Sequence, residues 1–318
     1  MIMSREPPVG LSTRRLRQLV ILLVVTAVIF LVGPLAYPNQ PFFFTTMIFM
    51  LLAYGINLIY GMTGYLPFGY SVFYGLGAYG VYIGLRLGMG EALSFLFAVA
   101  ITLGLALVLL PLFRLRSHYF AIATLAALMG IYNLMDSSLL APWTGAGKGA
   151  SLAPIYDPTL TYYLTLALLL VFVAVTAAIK FSRYGLGLRA IRGSVITAAL
   201  DGVNVPRLRG IAWVLSALMA ALAGAMYGWY VTFFYPDTVF SVSLNVYVIA
   251  YAIFGGAGTL TGPLIGTLVL NVIYNFIGVS AYSNYLPMVF GTILVALILL
   301  MPNGVVELVN RRAKLRLP

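Results

Sequence analysis

Gly145-Ala146-Gly147-Lys148-Gly149 is the stretch of this chain that most resembles a phosphate-binding loop. That motif, GxxxxGK[ST], needs glycine where Pro142 stands and a hydroxyl side chain where Gly149 stands, to finish the turn and hold magnesium. No buried strand precedes it either, so the chain is read as having no nucleotide site of its own. There is one histidine, His118, placed beside Arg116 at the start of an apolar run, where an interfacial role explains it. There are no cysteines, which excludes disulfides and thiolate metal sites. Paired carboxylates, metal-ligand spacing and a Ser/His/Asp set are missing, so neither enzyme chemistry nor a cofactor is expected. The apolar runs contain no Asp, Glu, Lys or Arg in their interiors, whereas proton-coupled carriers place a relay there. Directed transport would then draw its energy from elsewhere.

The elements available to position any site are membrane helices. Of 318 residues, 62% are hydrophobic and only 8% charged, against about 25% charged in soluble domains. Apolar runs near 18–36, 42–61, 65–86, 92–111, 117–135, 160–180, 209–232, 240–257, 262–279 and 284–301 predict an all-α polytopic protein of about ten spans. The third run holds Gly64, Pro67, Gly69, Gly75, Gly77 and Gly80 and is expected to be broken or re-entrant. With the N-terminus inside, sixteen basic residues fall in the cytoplasm, and only Arg86 and Lys148 fall outside. This bias accounts for the net charge of +11 without nucleic acid. The chain reads as one transmembrane domain with a basic arm (1–17), a central loop (182–208) and a tail (302–318), both termini being cytoplasmic.

The central stretch, Lys180 to Arg209, carries Lys180, Arg183, Arg189, Arg192, Arg207 and Arg209 against one acid, Asp201. Leu188, Ile191, Val195 and Ala199 recur at three- and four-residue steps, which predicts a short helix with one apolar face, ended by Gly202. Two readings stay open: a plain basic connector, or a cytoplasmic helix against which another protein pushes.

An echo links the two halves. Residues 59–66 read IYGMTGYL and residues 253–260 read IFGGAGTL, pairing Gly61 with Gly255 and Gly64 with Gly258. Paired, Gly-interrupted segments of this kind point to a transport pathway and to an internal two-fold pseudo-repeat. Gly61, Gly64, Gly69, Tyr70, Asn245, Gly255 and Gly258 are the pathway candidates. Neutral polar residues such as Asn57, Ser216, Asn271 and Asn275 and many small residues accompany them, suiting a small, partly apolar solute. Two external stretches, 136–159 and 233–239, are either surface loops or a docking surface for an extracytoplasmic partner.

Several motifs carry a family resemblance: Arg183 to Arg192 (RYGLGLRAIR), Ala198 to Val205 (AALDGVNV), Gly255 to Pro263 (GGAGTLTGP) and the terminal LLMPNGVVEL. Over about residues 40–305 the chain resembles the permease subunits of branched-chain amino acid ABC transporters, particularly the larger of their two types. Tyr70 stands where that family frequently has histidine. The resemblance implies a second permease subunit, usually in a heterodimer, two ATP-binding subunits, an external solute-binding protein and a prokaryotic inner membrane. It makes the segment from Arg189 to Gly202 the coupling helix, with Arg189, Arg192, Val195, Ala198 and Gly202 meeting the ATPase. The implied solutes are branched-chain or other hydrophobic amino acids. Urea or short amides carried by the same machinery, and a stand-alone secondary carrier or channel, are the alternatives.

Overall fold

In the computed structural model the described residues are 13–279 and, beyond them, 288, 291–292, 295–296 and 304–306. The described residues are helical apart from one short strand pairing and the connecting stretches. In order come α1 (Thr13–Ala36), α2 (Gln40–Ile56, continued by a wider π turn over Asn57–Gly61), α3 (Ser71–Arg86), α4 (Glu91–Val108), α5 (Ser117–Asp136) and the single turn α6 (Ala141–Thr144). Then follow β1 (Ala150–Ser151), α7 (Pro158–Phe181), α8 (Arg183–Gly193), α9 (Val195–Leu200), α10 (Val205–Val231), β2 (Phe233–Phe234), α11 (Pro236–Val239), α12 (Val242–Gly256) and α13 (Gly262–Val279).

Local chemistry sets these boundaries. Asn39, Asp157 and Asn204 each accept a backbone N–H in the first turn of α2, α7 and α10, with a proline at the start of each helix. Among the described residues, seven helical stretches are long and apolar enough to cross a bilayer, and Gly262–Gly278 is a shorter apolar helix. The expected third span, 65–86, is helical only in its later part. Residues 65–70 are not helical, and α3 begins only at Ser71. Gly64, Pro67 and Gly69 disfavour helix there. The tenth expected span, 284–301, lies largely outside the described residues.

The core sits around α10, which packs on α2, α3, α4 and α7. Its contact with α3 is backbone-close: a Cβ on Gly77 or on Gly224 would collide with the carbonyl of Ala221 or of Tyr74 respectively. Small residues permit such an approach where lipid removes the hydrophobic driving force between helices. Aromatic residues fill the core beside it, with Trp213 edge-on to Phe73 and Phe113 and its indole N–H donating to the Ala106 carbonyl at 2.9 Å. Two buried hydroxyls are likewise committed, Tyr70 donating to the Ser216 carbonyl at 2.7 Å and Ser216 to that of Gly55 at 2.8 Å. Polar groups in an apolar environment require such partners.

Candidate functional site

The two echo segments meet. Each closes a helix with a turn, and the paired glycines Gly64 and Gly258 both adopt left-handed backbone, with φ of +79° and +88°. Asn57, in the π turn of α2, bridges to the second turn: its Oδ1 accepts from Gly258 N–H at 2.6 Å and its Nδ2 donates to the Thr259 carbonyl at 2.8 Å. Arg192 of α8 reaches into the same junction. One guanidinium nitrogen donates to the Gly61 carbonyl at 2.5 Å and to the Ala257 carbonyl at 3.2 Å. Gly64 adjoins the aliphatic part of the same side chain. A second arginine braces the non-helical stretch, the buried Arg209 guanidinium lying 4.0 Å from the centre of the Tyr65 ring. The central loop therefore grips the end of α2 and the start of the irregular chain. The last described residues belong here too, since a Cβ on Gly304 would lie 2.6 Å from Gly256 Cα.

Farther along α2 and α12 from these turns lies a cavity of about 430 Å³. Thr45, Ile48 and Phe49 of α2 line one wall and Asn271, Tyr274 and Asn275 of α13 another, each set on one helical face. Tyr74 of α3 and Tyr227 of α10 pair with centroids 5.5 Å apart, and Tyr247 of α12 pairs with Tyr274 at 5.2 Å. No charged residue is among the described residues that line it. Its chemistry is aromatic faces with hydroxyls and amides, able to hold apolar groups and to hydrogen-bond neutral ones. Asn271 also fixes the wall, donating to the Thr46 hydroxyl at 2.7 Å.

The glycines and polar residues singled out by sequence divide between these places. Gly61 and Gly258 form the junction with Gly64 beside it. Gly255 and Gly69 are close-approach positions, against Gly262 and against Thr124 of α5. Tyr70 is buried and does not line the cavity. Asn245 caps α3 from across the fold: its Oδ1 accepts the Ser71 N–H at 2.6 Å and its Nδ2 donates to the Ser71 hydroxyl at 2.8 Å. The cavity tyrosines were missed by sequence reasoning. Their signal was the run of polar and aromatic residues Thr267, Asn271, Tyr274 and Asn275 down one side of α13.

The central loop is corrected in form. It is not one helix with a Leu188-Ile191-Val195-Ala199 stripe but two, broken at Ser194, which is extended and caps α9 by accepting from Thr197 N–H at 3.2 Å. Gly193 and Ser194 together favour that break. The break turns the face: Leu188, Ile191 and Ala198 are buried, whereas Val195 and Ala199 are exposed. Ile196 and Leu200, four residues apart on α9, stand 75% and 82% exposed. Arg189 is exposed, and Gly202, at φ +81°, turns the chain after α9. The two stretches read as external also come together, β1 pairing antiparallel with β2 and the Trp229 indole donating to the Ile155 carbonyl at 2.5 Å.

Residues 41–301 match the family described as the branched-chain amino acid transport system permease component. The chain belongs to this family of ABC transporter permeases, whose members are membrane subunits and not catalytic themselves. It is 26% identical over 309 residues to the high-affinity branched-chain amino acid transport system permease protein LivM of Escherichia coli (strain K12), covering 85% of this chain and 70% of that protein. It is 24% identical over 281 residues to the permease protein LivH of Salmonella typhimurium, covering 81% and 90%. The ribose import permease protein RbsC of Escherichia coli (strain K12) is 26% identical over 165 residues, covering 51% and 49%. No solved structure matches. Family membership sets aside the stand-alone carrier or channel.

Proposed function

We propose that this chain is one of two permease subunits, in a heterodimer, of an importer that carries branched-chain or other hydrophobic amino acids across a prokaryotic inner membrane. An external solute-binding protein delivers the solute and two ATP-binding subunits drive its release inward. Both termini and the central loop face the cytoplasm, about ten spans cross the membrane, and the halves carrying the two echo segments form a pseudo-repeat. The observation that carries this reading is the double grip of Arg192. A loop helix that bonds to both glycine turns gives ATP-driven movement at α9 a direct mechanical route to α2 and α12. Those helices also wall the 430 Å³ cavity. Its tyrosine faces suit an aliphatic side chain, and its hydroxyls and amides suit the polar end of an amino acid. The same groups would serve urea or a short amide, which is the second reading.

The test is uptake of labelled leucine into liposomes containing the assembled permeases, ATPases and solute-binding protein. ATP-dependent accumulation, competed by isoleucine and valine and not by urea, is expected. Competition by urea alone would move the assignment to the second reading, and uptake without ATP or partners would overturn both.

A further inference from the structure

A small cavity of about 120 Å³ lies where α7, α8 and the two glycine turns come together. Three cations line it, Lys180 at the end of α7 and Arg189 and Arg192 on α8, together with backbone of Gly61, Ala257 and Gly258. No acid is among the described residues that line it, and Lys180 and Arg189 repel each other electrostatically. Among the described residues none of the three is ion-paired. Arg192 spends one nitrogen on the Gly61 and Ala257 carbonyls, which leaves the rest of its fork for another acceptor. Arg189 and Arg192 are exposed, so solvent screens part of the repulsion, and a bound anion would remove the rest. The volume is about four times the share of one water in the liquid, enough for a single small oxyanion and too little for a nucleotide.

We propose that this junction is a binding site for a small inorganic oxyanion of the phosphate type, held by Lys180, Arg189 and Arg192. Elements of this chain itself bound the cavity, which favours a free ion over a side chain reaching in from a partner. A bound oxyanion removes the repulsion between α7 and α8 and holds α8 against both turns. The grip of the central loop would then depend on which anion is present.

The chain has no cysteine of its own, which makes a direct test available. Ala257→Cys places a thiol on the cavity wall, and Ser151→Cys places one in β1 as a control. Labelling of the purified full-length chain by N-ethylmaleimide is followed while inorganic phosphate replaces gluconate at constant ionic strength. Phosphate is expected to slow labelling at position 257 severalfold and saturably, and to leave position 151 unchanged. Lys180→Met and Arg189→Gln should each abolish the protection. Labelling that is equally fast in phosphate and gluconate overturns the site, and this arm needs no charge variant to fold. Protection that persists undiminished in both charge variants overturns it as well. Neither substrate nor ATP enters the measurement, so its failure leaves the transport assignment standing.

Discussion

Asn57 accepts the backbone N–H of Gly258 at 2.6 Å, joining residues 201 positions apart in the chain. The same side chain donates to the next carbonyl, that of Thr259. Asn57 is fully buried, so Asn57→Leu would strand a backbone donor and an acceptor with no side-chain replacement. Leaving buried polar groups unsatisfied costs about 1–3 kcal/mol. Reversible unfolding in detergent should show a loss within that range for Asn57→Leu. A loss below about 0.5 kcal/mol, the scale of an average interhelical bond in a membrane protein, would mean that the bridge adds nothing special.

The paired glycines should not respond equally to alanine. Both have positive φ, where a Cβ costs about 1–2 kcal/mol. Around Gly64 the added methyl meets only the Arg192 side chain at ordinary contact distance, whereas at Gly258 it would press on the Gly61 carbonyl and the Arg192 guanidinium at 2.7 Å each. Gly258→Ala should therefore lower the thermal midpoint and transport clearly more than Gly64→Ala. Equal effects would show that backbone conformation alone, and not crowding at the junction, sets the requirement.

On α9 the exposed pair Ile196 and Leu200 and the buried Ala198 separate docking from internal packing. Ile196→Glu or Leu200→Glu should leave the chain folded and inserted while the ATP-binding subunits fail to co-purify. Ala198→Glu, at 1% exposure beside Ile191 and Val205, should instead destabilise the loop itself. A cysteine at Thr197 should crosslink to an ATPase subunit and one at Ser151 should not. Normal co-purification of both glutamate variants would remove α9 from the docking surface.

Arg192 is a positioning residue, and its loss should be felt in coupling. In Arg192→Gln the assembled transporter should still hydrolyse ATP, while stimulation by loaded binding protein and solute uptake both fall. Arg192→Lys replaces a planar fork with a single rotatable ammonium and should recover uptake only in part. If uptake and stimulation are unchanged in Arg192→Gln, the contacts with Gly61 and Ala257 do not transmit force.

The helical architecture was legible because long apolar runs with strong caps leave few alternatives, as at Asp157-Pro158 and Asn204-Val205-Pro206. The glycine echo was legible too, since a left-handed turn needs a residue without a side chain, and Gly64 and Gly258 stand in register. The break at Ser194 was hidden behind a plausible apolar stripe: Val195 and Ala199 continue the spacing of Leu188 and Ile191, and only Gly193 and the capping preference of Ser194 argue against it. That Asn245 caps α3 was out of reach for a different reason. An amide that caps a helix and one that lines a cavity look alike in a sequence, and which it is depends on neighbours more than 170 residues away.

Helix α10 begins where the central loop ends and finishes at β2, the strand that staples the two stretches on the other side of the fold. Its 27 residues make a rod of about 40 Å. If such a rod pivoted about its middle, a tilt of about 5° would move each end by about 1.7 Å in opposite directions, given that length. Arg209 stands at one end and Trp229 at the other, each tied to a different part of the chain. In the proposed assembly, a binding protein at the stapled strands and an ATPase at the central loop would lean on the same beam. Each would then feel the other's presence without any signal passing through the cavity.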